Sequence, residues 1–286
     1  MTIETRQEAP QALRRPFFAV DDLSFYPKQT GVLAMITKRH MHMLSIVPMA
    51  MASLTLAAAT PAVWAAEFSE AELFFELNDT DGDLGIHASI DGGPYSKLKI
   101  KSPNERRILL VRAQGRLAKQ GLTQLSLESA EPSFDKLAPE RFFRRFPEGA
   151  YEIKAKALEG EDFEGTVVLS HVLAAPVANI LVSGVPAAEK CDAVPLPSVS
   201  EPVIIDWDPV TESHPEIGKS GPIEVVRYQF FVEREGVKVS VDLPPTVTQF
   251  QVPSDIIALG NEFKFEIIAR TASGNNTAIE SCFTIQ

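Results

Sequence analysis

From Ala66 onward, apolar and polar residues alternate through Lys97–Lys101, Ile108–Arg112, Leu122–Glu128, Tyr151–Leu158 and Thr166–Val172. A β-strand sends successive side chains to opposite faces, so this period of two predicts half-buried strands and a mainly β first domain. The acidic tetrapeptide Glu159-Gly160-Glu161-Asp162 separates two such runs and reads as the turn of a hairpin. One segment departs from the pattern. In Lys136–Phe146, Pro139 sits early, Phe142 and Phe146 fall four apart, and Pro147 and Gly149 stop the run, which predicts a short helix. Its Arg141, Arg144 and Arg145 read as a solvated face or, alternatively, as a patch for an anionic ligand.

Ahead of the strands lies a segment with the parts of a secretory leader in order. Lys38 and Arg39 are basic, Leu44–Thr60 is apolar, and Val63-Trp64-Ala65 is a small-residue cleavage site, so cleavage is expected after Ala65. The apolar run is shorter than the roughly 20 residues of a spanning helix, Pro48 interrupts it, and no basic stop-transfer cluster follows. Methionines stand only at positions 1, 35, 41, 43, 49 and 51. Met35 is the expected start, which makes residues 1–34 a gene-model extension and residues 35–65 the signal peptide. The exported chain is expected in the periplasm or outside the cell, with no stable membrane insertion after cleavage.

Export changes the charge balance. Taking the six basic and four acidic residues of positions 1–65 from totals of 27 and 38 leaves 21 and 34, a net charge of −13. Such a chain is a poor partner for nucleic acid and for anionic membrane surfaces, and a good one for cations. Its two cysteines, Cys191 and Cys282, have an oxidising compartment in which to pair, the alternative being two separate buried thiols. Neither lies at the cleavage site, so a lipid anchor is not expected.

Around Ala174–Ser200 the composition turns to Ala, Val and Pro, which places a domain boundary near Ala175, between residues 66–174 and residues 175–286. A first strand is expected near Asn179–Val182. Strands then follow near Val203–Trp207, Val225–Glu235, Val237–Leu243, Thr246–Val252, Phe263–Arg270 and Thr277–Thr284, a number and spacing that suit a sandwich. VIIDWDPVT (Val203–Thr211), VRYQFFVE (Val226–Glu233) and FKFEIIARTASGN (Phe263–Asn275) resemble the strand signatures of a fibronectin type III domain over Ala178–Gln286. The resemblance implies that Trp207 and Tyr228 pack in the core. Phe263 stands where the family places a second tyrosine, and the loop Asp208–Glu224 is long. The first domain resembles that of exported bacterial proteins carrying the same C-terminal module, which implies a domain order and no activity. The expected fold is therefore all-β, with two β-sandwich-like domains, the first carrying one short helix and the second fibronectin type III-like.

The sharpest local signal is Asn78-Asp79-Thr80-Asp81-Gly82-Asp83. Oxygens on alternate residues can converge on one cation, and the first half of an EF-hand loop spaces its carboxylates in this way. Leu84 replaces the glycine of that loop, and Ile90 takes the place of its bidentate glutamate, with Asp91 one residue late. Two readings stand: a calcium site built from Asn78, Asp79, Asp81, Asp83 and Asp91, or a solvated acidic turn. The preceding AELFFELN is read as a strand, paired with Ile86–Ile90 and followed by a turn at Asp91-Gly92-Gly93.

Other chemistry is weakly signalled. Glu76, His87 and Asp91 lie near the loop and suggest an acid–base pair for a glycan-acting enzyme. His87, His171 and His214 lack zinc spacing, and Ser170-His171 with Asp162 lacks a nucleophile elbow. Of the adjacent aromatics Phe74-Phe75 and Phe142-Phe143, one ring of each pair is expected inside. The function that follows is an exported, non-catalytic binding or structural module, calcium-stabilised if the loop binds metal, with a protein or a glycan as partner. The alternatives are a glycan-acting enzyme using the acidic cluster and an envelope assembly accessory.

Overall fold

The computed structural model describes residues 65–286; the leader at 35–65, apart from Ala65, and the extension at 1–34 lie outside the described residues. Strands β1 (Glu70–Asn78) and β2 (Asp83–Lys101) form a hairpin whose register runs from Asn78 opposite Asp83 to Glu70 opposite Asp91. β2 does not turn at Asp91-Gly92-Gly93. It continues through the two glycines with register shifts between Asp91 and Lys97. The expected turn is thus a bulge, and packing explains its glycines: a side-chain carbon on Gly93 would lie 2.7 Å from the Phe163 ring.

The bend gives β2 two sets of neighbours. Next come β3 (Arg107–Arg112), a one-turn helix α1 (Leu117–Gln120) and β4 (Leu122–Glu128). Helix α2 (Pro139–Arg145), β5 (Gly149–Ala157) and β6 (Phe163–Leu169) complete the first half. Residues 87–91 of β2 lie between β1 and β4, and residues 97–101 between β3 and β5, with β6 beyond β5. Ala66 returns the chain to β6 through hydrogen bonds with Asp162 and Glu164, so the layers close on one core. That core holds Phe75, Tyr95, Leu98, Ile100, Tyr151 and Ile153, all with no exposed surface. Each side chain of this size stabilises by roughly 1.5–3 kcal/mol.

Helix α2 carries Pro at its first position, where the missing N–H costs nothing. Phe142 and Phe143 are both buried, their rings 5.9 and 5.4 Å from Phe75. The expectation of one inward ring per pair fails here because β1 and the His171 ring, 4.5 Å from Phe143, enclose the helix from two directions.

The second half begins with β7 (Leu181–Val182), β8 (Val185–Pro186), β9 (Ser198–Val199) and β10 (Ile204–Asp206). It continues with β11 (Val225–Arg234), β12 (Val237–Leu243), β13 (Gln249–Gln251), a one-turn helix α3 (Ser254–Ile257), β14 (Glu262–Thr271) and β15 (Asn276–Ile285). Its two sheets have the orders β12-β11-β14-β15 and β13-β10-β7-β8. This is a fibronectin type III-like sandwich. Trp207 and Tyr228 are buried in its core with ring centroids 5.5 Å apart, and the Tyr228 hydroxyl accepts the Val210 N–H at 2.9 Å. Cys191 and Cys282 form a disulfide.

The two halves share a sheet. β1 pairs in parallel with β15, placing Glu76, Leu77 and Asn78 beside Asn276, Thr277 and Ala278. The eight-strand path β12-β11-β14-β15-β1-β2-β5-β6 therefore crosses from one core to the other without an open edge between them. Among the described residues, no helix is long and apolar enough to cross a membrane.

Candidate functional site

The acidic turn sits on this seam. Its residues are tied to β15 of the other half: the Asp79 N–H donates to Ala278 O at 2.9 Å, and the Thr80 hydroxyl accepts the Glu280 N–H at 2.8 Å. Asn78 Oδ1 accepts the Asp81 N–H at 3.1 Å, a local bond that short polar side chains make readily in turns.

His214 holds the turn from a third direction. Its Nδ1 accepts the N–H groups of Glu216 and Ile217 at 3.1 and 2.9 Å, leaving Nε2–H to donate to Asp79 Oδ1 at 2.9 Å. His214 belongs to the long loop Asp208–Glu224, and the geometry accounts for that length. The loop leaves the second sandwich and runs along the connecting segment, His214 N–H bonding Leu173 O and Lys219 N–H bonding His171 O, both at 2.9 Å. Ile217 packs against the first core, and Lys219 pairs with Glu148. Burial alone would raise the Glu148 carboxyl, but Lys219 and the His171 N–H outweigh it and hold the group below its ordinary range.

Of the sequence-predicted metal residues, the structure gathers Asn78, Asp79, Asp81 and Asp83 in one turn. Asp91 is not brought to them. It stands opposite Glu70 at the other end of the β1–β2 ladder and accepts the Ser69 hydroxyl at 2.9 Å. Eight residue steps along the strand separate it from Asp83, about 26 Å at the usual rise. Among the described residues, no group of three or more His, Cys, Asp or Glu side chains is placed to hold a metal ion.

The other candidates are likewise held in hydrogen bonds. Glu76 Oε2 accepts from Asn276 Nδ2 at 2.9 Å, so Glu76 faces the seam while Asp91 is remote from it. His87 bonds Glu131 at 2.9 Å and stacks on Phe74. Burial would lower the His87 pKa, yet Glu131, with Glu76 and Glu128 nearby, raises it above the ordinary histidine value. His171 Nε2 donates to Phe146 O at 2.8 Å, and the Ser170 hydroxyl accepts the Val172 N–H at 3.1 Å, so these two do not face each other as nucleophile and base. Arg141, Arg144 and Arg145 lie on the exposed side of α2.

Sequence reasoning passed over the residue that joins most of these parts. Asn275, 1 % exposed, accepts the Phe75 N–H at 3.0 Å and donates to Ser170 O and Val172 O at 2.9 and 3.0 Å. Nearby, the Thr277 hydroxyl donates to Ala174 O at 2.9 Å. In the sequence, Asn275 is marked only as the last residue of the segment Phe263–Asn275 that resembles a fibronectin type III strand signature.

No protein-family model matches the chain, and no curated protein does. Among solved structures, a two-domain fibronectin type III segment of chicken tenascin is 13% identical, with a TM-score of 0.25 over 77% of this chain and 99% of that one. The ligand-binding domain of human OSCAR is 9% identical, with a TM-score of 0.25 over 76% and 98%. A tetra-tandem repeat from the extending region of a large adhesion protein is 11% identical, with a TM-score of 0.24 over 76% of this chain and 50% of that one. Overlaps this loose carry no argument about function.

Proposed function

We propose that this protein is an exported, non-catalytic module that serves as a rigid binding or structural unit outside the cytoplasm. The observation that carries the reading is the seam, where the β1–β15 ladder, Asn275 and the Asp79–His214 bond tie two cores into one body. A unit whose halves are joined by backbone ladders and buried polar bonds presents its surfaces at fixed separation, as a spacer or platform must. The disulfide and the leader-like segment support the exported compartment.

Calcium enters this proposal as an added stabiliser of the Asn78–Asp83 turn and not as a reactant. A cation ligated there would compete with His214 for the Asp79 carboxylate. A rise in Tm on adding millimolar calcium, abolished by Asp81→Ala, is the expected sign of it; an unchanged Tm removes calcium from the proposal.

The export half of the reading is tested by expressing the full chain, fractionating the cells and sequencing the N-terminus of the product. A product beginning at Ala66 outside the cytoplasm supports it. Uncleaved protein retained in the cytoplasm defeats it.

A further inference from the structure

The acidic seam is not the only charged feature of the molecule, and the face farthest from it in character is cationic. On the sheet β3-β2-β5-β6, Leu98 and Ile100 point into the core, so Lys97, Lys99 and Lys101 point outward. The register sets Lys97 opposite Lys156 on one side and Arg112 on the other, and Lys99 opposite Lys154. Like charges facing each other across a ladder are destabilising. This arrangement stands in a chain of net charge −13 from Ala66 onward, where acidic residues were abundant enough to alternate with them.

The neutralisation is incomplete. Lys154 pairs with Glu152 and Glu164 at 2.8 Å, Lys156 with Asp162 at 3.0 Å, and Lys101 with Glu105 and Glu152 at 2.7 and 3.2 Å. Lys97 and Lys99 have no ion pair among the described residues. Between them lies a depression of about 240 Å³, whose lining joins the charged Lys97, Lys99, Lys154, Lys156, Asp162 and Glu164 to Ala155 and Phe163.

We propose that this depression binds an acidic sugar unit of a polysaccharide, one carrying carboxylate or sulfate. Lys97 and Lys99 meet its anion, and Glu164 accepts a hydroxyl with Oε2, its Oε1 being held by Lys154, while both oxygens of Asp162 stay on Lys156. The pairing of cations with acceptors selects a ligand that is both anionic and hydroxylated. A protein partner would want an apolar, desolvated pocket for an aromatic or aliphatic anchor, whereas six of the eight residues lining this depression are charged and Phe163, which borders it, packs its ring 5.5 Å from Phe68. An anionic bilayer would press on the surrounding carboxylates as well as on the lysines, whereas a single glycan chain can follow the lysine row. Along β2, the lysines recur about every 7 Å, and the neighbouring strands lie about 5 Å apart, distances within reach of adjacent charged units on a sugar chain.

The inference rests on the reading of the protein as an exported binding module and names the site and ligand class. It is tested with protein purified from cells expressing the full chain, titrated calorimetrically with polygalacturonate, dextran sulfate and neutral dextran, and sedimented with phosphatidylglycerol vesicles. Binding to one or both charged polysaccharides and not to dextran is expected. Lys97→Gln with Lys99→Gln should weaken it roughly tenfold, and Arg141→Gln with Arg144→Gln should leave it unchanged. Because Lys97 and Lys99 face like charges, their replacement should leave Tm unchanged or raise it, so lost binding is not lost folding. Absence of binding, equal binding by the lysine variant, equal binding of dextran, or preferential binding of vesicles overturns the proposal. None of these outcomes bears on export or on the seam, which are read separately by fractionation and N-terminal sequencing.

Discussion

Asn275 Oδ1 accepts the backbone N–H of Phe75 at 3.0 Å across 200 residues of sequence. The same side chain donates to the carbonyls of Ser170 and Val172, so one amide of the second half satisfies three backbone groups of the first. Replacing Asn275 with Ala leaves those groups buried and unpartnered, and an unpartnered buried polar group costs about 1–3 kcal/mol. Asn275→Ala should therefore lower the unfolding free energy by about 2–4 kcal/mol in urea melts. Asn275→Asp should do worse, since a carboxylate cannot donate to Ser170 O and Val172 O. A loss below half a kcal/mol for Ala would show that the seam does not depend on this residue.

Asp79 and His214 form a second tie, and its energy is a coupling. Each single replacement, Asp79→Ala or His214→Ala, should destabilise, the second by more because the Glu216 and Ile217 N–H groups lose their acceptor. The double variant should lose less than the sum, with an interaction energy of about 1 kcal/mol. Strict additivity would mean that the 2.9 Å bond contributes nothing beyond its two separate environments.

The strands of both halves were legible in sequence because half-buried strands display their period directly. Predicted Val225–Glu235 and Val237–Leu243 correspond to β11 and β12 almost residue for residue. The seam was not legible. Its ladder joins residues 76–78 to 276–278 in parallel, and nothing in local pattern marks a pairing over that distance. Thr80 reads as part of the acidic turn, Asn275 as the end of a strand signature and Thr277 as the start of a strand, and nothing in those readings shows the backbone partners of their side chains. Asp91-Gly92-Gly93 misled for a definable reason. Glycine pairs signal either a turn or a close approach, and here the aromatic ring of Phe163 occupies the space that a side chain would need. The acidic turn was located correctly, but an alternation of carboxylates cannot reveal that its backbone and Asp79 are engaged by β15 and His214.

The disulfide should contribute to stability chiefly through the unfolded chain. Cys191 and Cys282 are 91 residues apart, and by chain entropy a cross-link over a loop of that length stabilises by about 4–5 kcal/mol. Adding reductant, or replacing both cysteines with Ser, should lower the urea midpoint while leaving β-sheet circular dichroism in place under native conditions. An unchanged midpoint after verified reduction would show that the cross-link adds nothing to a fold already held by its core.

His87 gives a pH dependence of known sign. Its folded pKa is raised, so the folded protein holds this proton more tightly than the unfolded chain does. The resulting stabilisation is fully present below the unfolded histidine pKa of about 6.5 and is lost as pH rises through the folded value. Acidic groups such as Glu148 and Glu152, whose folded pKa values are lowered, respond in the opposite sense at lower pH. The His87 contribution is therefore read as a difference. Between pH 6 and pH 8.5, wild type should exceed Glu131→Gln in stability most at the acidic end, and the gap should narrow as pH rises. The His87 ring resonances followed by NMR should titrate at lower pH in the variant, because burial lowers the pKa and is outweighed only when the Glu131 hydrogen bond and charge add to the charges of Glu76 and Glu128. A gap that widens toward pH 8.5 would assign the pH dependence to a different group.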